Sequence, residues 1–175
     1  MASSPTAERY NVVSIGLHWL MLALLAAVYL MAELQEGEGA DTFAAWHSSL
    51  GLSVFVLVWL RIAARLIWGA PAEVEQGWRN GLSKITHGAL YGLMIGMPVV
   101  GWLMLSAEGD AIWFFGLHLP PLVAANHGLA ETLEEIHEVG GTLGYGLVGL
   151  HAAAALFHHY VLRDGLMSRM LPGRA

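Results

Sequence analysis

The sequence predicts an all-α membrane protein, a four-helix transmembrane bundle with both termini on the same side. Three observations predict it. Of 175 residues, 56% are hydrophobic and only 13% charged, a balance outside that of ordinary soluble domains. Four stretches, Val12 to Ala32, Thr42 to Leu60, Ile85 to Ala107 and Val139 to Leu162, contain no Asp, Glu, Lys or Arg. Each offers about the ~20 residues that a helix needs to cross a hydrocarbon core of ~30 Å. Finally, the basic residues alternate with the spans: Arg9 precedes the first, Arg61, Arg65, Arg79 and Lys84 lie between the second and third, and Arg163, Arg169 and Arg174 follow the fourth.

By the positive-inside rule that alternation puts both termini in the cytoplasm, with lipid surrounding the spans. The opposite side is acidic, with Glu33, Glu36, Glu38, Asp41, Glu108, Asp110, Glu131, Glu134, Glu135 and Glu138. A net charge of −6 without a basic patch gives nucleic acid nothing to bind. The absence of cysteine excludes disulfides and thiolate metal sites.

A single membrane domain, 1–175, follows, with helices at about 12–34, 42–66, 85–107 and 137–162. The first stretch is longer than the apolar region of a signal peptide and reads as a span. A further uncharged run, 111–130, carries Pro120 and Pro121 in its middle; paired prolines remove donors where lipid supplies no replacement. The outer segment, about 108–136, is therefore expected to be interfacial, with Trp113, Phe114 and Phe115 lying on the membrane surface or capping the bundle. Helices three and four carry glycines at 88, 92, 96 and 101 and at 140, 141, 144, 146 and 149. These suit close helix packing, or equally leave room for a flat ligand.

The histidines carry the chemistry. With alternating topology, His18 lies near the inner side, His47 opens helix two at the outer side, and His87 opens helix three at the inner side. In helix four His137 is outermost and His151 lies 14 residues deeper, roughly 21 Å along the axis and within about 40° of the same face. Matching depths pair His47 with His137 and His18 with His151. Ionisable groups inside spans default to function, and two bis-imidazole pairs suit two haems stacked across the bilayer, with no position left for oxygen. Zinc is the alternative metal, but it needs clustered ligands, usually four, which a two-and-two split does not supply.

His158 lies seven residues beyond His151, about 10 Å further and within about 20° of its face, at the level of His87. An imidazole there suits proton delivery to a quinone carbonyl, or else His158, His159 and Tyr160 form an ordinary interfacial belt. Arg9, Arg61, Arg65 and Arg79 are candidate partners for the inner haem propionates. The outer side offers Ser48, Ser49, Asn126, His127 or backbone N–H groups.

The pieces SIGLHWLM, WHSSLGLSVFVLVWLRIAARL, THGALYGLMIGMPVVGWLM and LGYGLVGLHAAAALFHHYVLRDG together resemble the bacterial cytochrome b561 family, in order and over nearly the whole chain. The resemblance implies a di-haem b oxidoreductase passing electrons from superoxide on the periplasmic side to ubiquinone near the cytoplasmic side. It implies His18 and His151 as ligands of the inner iron, His47 and His137 as ligands of the outer iron, and catalytic roles for His87 and His158 at the quinone end. The outer loops hold ten acids and no Lys or Arg, so they offer no long-range steering to an anion such as superoxide. The alternative function is an electron-transfer subunit whose acidic face docks a soluble redox partner or a dehydrogenase.

Overall fold

Uncharged apolar sequence forms helix in lipid because every backbone N–H and C=O must be satisfied within the segment. The computed structural model describes residues 9–71 and 77–173; Arg174 and residues 72–76 of the basic loop lie outside the described residues. Helices α1 (Val12–Glu33), α2 (Ala40–Trp68), α3 (Trp78–Glu108) and α4 (His127–Phe157) are each long and apolar enough to cross a membrane. Helix α1 packs on α2, α2 on α3 and α3 on α4. Met21, Val54, Leu57, Val58 and Met94 bury the centre of the first three helices, and Ala107, Ala130 and Leu133 join α3 to α4. Large apolar side chains elsewhere remain exposed, Leu66 at 80% and Ile67 at 70%, as a lipid-facing surface requires.

Helix α4 begins at His127 rather than at about 137, and α3 at Trp78 rather than at 85. The physical reason is that absence of charge marks the hydrocarbon, whereas a helix can run beyond it. Asn126 caps α4, its Oδ1 accepting from Leu129 N–H at 3.0 Å, and Glu131, Glu134, Glu135 and Glu138 sit on exposed turns. Asn11 caps α1 in the same way, accepting from Val13 N–H at 2.9 Å.

Between α3 and α4 the chain forms a short antiparallel hairpin, β1 (Ile112–Phe114) and β2 (Leu117–Leu119). Its two-residue turn places both Phe115 (φ 47°) and Gly116 (φ 85°) at positive φ, the geometry that matches strand twist. Ile112 is 1% exposed beneath it. The Ser49 hydroxyl of α2 donates to Trp113 O at 3.2 Å and accepts from Phe115 N–H. Ser106 and Trp102 of α3 bond Leu122 N–H and Pro120 O. The hairpin and the proline pair thus cap α2 and α3 at the acidic end.

At the basic end α4 passes into a single π-helical turn, His158–Leu162, and the chain reverses at Arg163, a non-glycine residue at φ 53°. The remaining residues return as a strap across α1. Trp19 Nε1 donates to Met170 O at 2.7 Å, Tyr10 N–H to Arg169 O, and Arg9 to Leu171 O and Gly173 O.

Candidate functional site

The antiparallel alternation brings four histidines together in two pairs, one toward each end of the bundle. His47 of α2 and His137 of α4 have ring centroids 6.0 Å apart with planes at 73°. His18 of α1 and His151 of α4 are 6.2 Å apart at 75°. His87 of α3 also stands against His151, at 5.5 Å and 71°. Two metal–nitrogen bonds of about 2 Å with a metal between facing imidazoles give a centroid separation of about 6 Å, which both pairs satisfy.

The Nδ1 atoms of three of these rings bear on this reading. His47 Nδ1 is 3.0 Å from Val28 O. Donating to that carbonyl leaves Nε2 with the lone pair, the arrangement by which a protein orients a ligating imidazole. Among the described residues, His18 Nδ1 is buried without a hydrogen-bond partner, and His137 Nδ1 lies by the Met97 backbone short of hydrogen-bond geometry. Buried imidazoles left so poorly satisfied need a further partner.

Space for a flat group is present as well. A Cβ added at Gly51 or Gly141, one turn inward from His47 and His137, would meet nothing within 4 Å, and the same holds at Gly88, Gly92 and Gly96. Other glycines serve packing. A Cβ at Gly101 would press on His137 Cε1 at 3.1 Å, and one at Gly144 would collide with the Tyr29 hydroxyl. Of the two suggestions made by the glycine spacing, close helix packing is met at Gly101 and Gly144. Among the described residues no three or more His, Asp or Glu converge on one point, so the clustered ligand set of a zinc site is not formed there.

The candidate propionate partners separate. Arg9 is bound to the strap, and Arg79 lies over the Trp78 ring at 5.9 Å. Arg61 and Arg65 line a cavity of about 20 Å³ together with Tyr10, Ser14, Tyr91 and Met170. At the acidic end Ser49 is committed to the hairpin, Ser48 to Ala44 O, and Asn126 to its cap. His127 is exposed, 3.8 Å from Glu131.

A family model of prokaryotic cytochrome b561 matches residues 9–173. The chain belongs to the prokaryotic cytochrome b561 family. It is 35% identical over 171 residues to the probable superoxide oxidase CybB of Yersinia pestis, covering 94% of this chain and 97% of that protein. It is 30% identical to cytochrome b561 homolog 1 of Escherichia coli, over 95% and 99% of the two chains. Cytochrome b562 of Cereibacter sphaeroides is 31% identical, over 94% and 96%. This cytochrome is accordingly a bacterial membrane protein of electron transport, and membership of the family implies haem b.

Three features of the cytochrome escaped sequence reasoning. Tyr29 stacks on Tyr145 at 4.1 Å, and Tyr145 donates to Glu33 Oε1 at 2.7 Å, tying α1 to α4. Their spacing follows no motif. Ser14, one turn before His18, is half-buried, with its hydroxyl oxygen enclosed and unpartnered among the described residues. Asp164 lies 2.5 Å from His158 Nδ1; a carboxylate two residues past the π turn has no helical periodicity to announce it. Of the remaining histidines, His118 packs on Trp113 and His159 on Tyr160.

Proposed function

We propose that the chain is a superoxide oxidase: a di-haem cytochrome of the bacterial inner membrane, taking single electrons from superoxide at its acidic, periplasmic end and delivering them to ubiquinone near its basic, cytoplasmic end. The observation that carries this reading is the pair of facing imidazole couples, 6.0 and 6.2 Å between centroids, at opposite ends of one bundle. The similarity to the probable superoxide oxidase over almost the full length of both chains supports the choice of donor. Haem b with two imidazole ligands supplies one-electron exchange with no open position for oxygen.

In this reading His47 and His137 hold the acidic-end group, and His18 and His151 the basic-end group. Their centroid separations match each other, whereas His87 stands closer to His151 and lacks that match. His87 and His158 then serve the quinone. Asp164 accepts a hydrogen bond from His158 Nδ1–H, so Nε2 is the nitrogen left to meet a quinone carbonyl, and once it has taken a proton from the cytoplasmic side it can pass that proton on. Two superoxide ions leave as dioxygen, and their two electrons with two protons convert ubiquinone to ubiquinol.

Purified, haem-loaded protein mixed with superoxide and a water-soluble ubiquinone analogue should consume superoxide catalytically and form quinol in a 2:1 ratio. Reduction that stops after one filling of the haems would instead favour the second reading, an electron-transfer subunit that docks a basic soluble partner on the acidic end. That reading draws on ten acids without a Lys or Arg among the loops there. The ligand assignment has its own test in the haem-to-protein ratio, which should fall from two to one in His18→Ala, His47→Ala, His137→Ala and His151→Ala. His87→Ala should keep both haems; a His87 variant with one haem and a His18 variant with two would overturn the pairing.

A further inference from the structure

The basic end of the bundle contains a charge that meets no carboxylate among the described residues. Arg61 lies on α2 within the membrane-spanning helix, over the Tyr91 ring at 5.8 Å, and among the described residues no carboxylate reaches it. Arg65, one turn further, lines the same small cavity. The cavity's other walls are polar where they meet these cations. Tyr10 and Tyr91 contribute phenols, and Ser14 contributes a buried hydroxyl that has no partner among the described residues. Helix α1, whose N-terminal end is the positive end of its dipole, begins at Val12, two residues before Ser14. Two cations, a donor-rich wall and a helix start around about 20 Å³ form a site for one anionic head group.

Its position identifies the anion. Ser14 is one helical turn from His18 on α1, and Tyr91, whose ring lies under Arg61, is one turn from His87 on α3, which stands 5.5 Å from His151. The acidic end is the opposite case, with no Lys or Arg in its loops, and Glu138 follows His137 directly. Resting on the di-haem reading above, we propose that the Arg61–Arg65 cavity receives a propionate of the group held by His18 and His151, and that these cations make it the higher-potential of the two. Two guanidiniums against one carboxylate leave a net positive charge beside that iron. Reduction lowers the iron's charge by one, so a nearby cation favours the ferrous form and a nearby anion the ferric form. With both groups bound, an electron passing from the acidic-end iron to the basic-end iron would move toward the higher potential, and the arginines would set that direction.

A redox titration of the holoprotein, followed in the b-type absorbance bands, should show two waves. His18→Ala should remove the upper wave and His47→Ala the lower. Arg61→Gln and Arg65→Gln should each lower the upper wave by at least a tenfold change in equilibrium, ~59 mV for one electron, and leave the lower wave in place. Arg61→Lys should largely restore it, and Arg79→Gln should move neither. Waves assigned in the reverse order, or an arginine substitution that shifts both waves equally, would overturn the proposal. A lipid phosphate in the cavity would make the upper wave move when anionic lipid is exchanged for a zwitterionic detergent. Movement on that exchange therefore refutes the propionate assignment, and constancy supports it. A haem-to-protein ratio below two in the unaltered protein would refute the underlying di-haem reading instead.

Discussion

Asp164 shows how one side chain can hold both a site and a segment. Partial burial pushes its carboxyl up, but the hydrogen bonds from His158 and from Leu166 N–H outweigh that cost and hold it below the usual carboxylate range. A carboxylate depressed in the folded state contributes stability above its unfolded value, about 3.9, and loses it as pH falls through the lower, folded value. The strap should therefore be fully fastened above about pH 4 and loosen below it. Hydrogen exchange at the Leu166 amide checks this: protection should disappear with acid in the native chain and be weak at every pH in Asp164→Asn. An amide whose protection ignores both would separate Asp164 from the strap. The histidine pairs were legible because 14 residues on a helix return near the same face, and depth needs only topology. Asp164 was not, because Arg163 takes a left-handed conformation and reverses the chain, and no periodicity survives that reversal.

The helices divide the glycines by task, and α4 shows it most clearly. Gly141 faces open space, whereas Gly144, three residues on, meets the Tyr29 hydroxyl, which itself donates to Gly141 O at 3.1 Å. Gly144→Val should overpack this α1–α4 contact and destabilise the protein by about 1–3 kcal/mol. Tyr29→Phe in the same background should recover part of the loss, since the hydroxyl is the nearest atom; thermal unfolding in detergent measures both. A valine variant with unchanged stability would mean that α1 and α4 are free to separate there. Sequence periodicity shows small residues in rows, but only the neighbouring helix determines which of them are contacts and which are vacancies. The same limit applies to the ends of α3 and α4, where charged turns continue a helix past the lipid, and to the hairpin at 112–119, whose paired strands are three residues each.

At the scale of the whole molecule, charge orders the chain. The four spans and the segregation of cations from acids were readable directly, because the lipid interior and the positive-inside rule act on composition. We expect both termini in the cytoplasm. A periplasm-dependent reporter should be active when fused in the acidic loop near Glu38 and inactive when fused at the C-terminus, and the reverse pattern would invert the assignment of donor and acceptor sides. The Arg61–Arg65 cavity was less legible, since it forms only when Tyr10, Ser14 and Met170 arrive from both ends of the chain. The histidine pairs share a further property: each draws one member from α4, His137 in one and His151 in the other. Synthesis runs from the N-terminus, so a growing chain that has placed three helices in the membrane contains neither couple. Neither couple can therefore form before the fourth helix has been made and has packed against its neighbours.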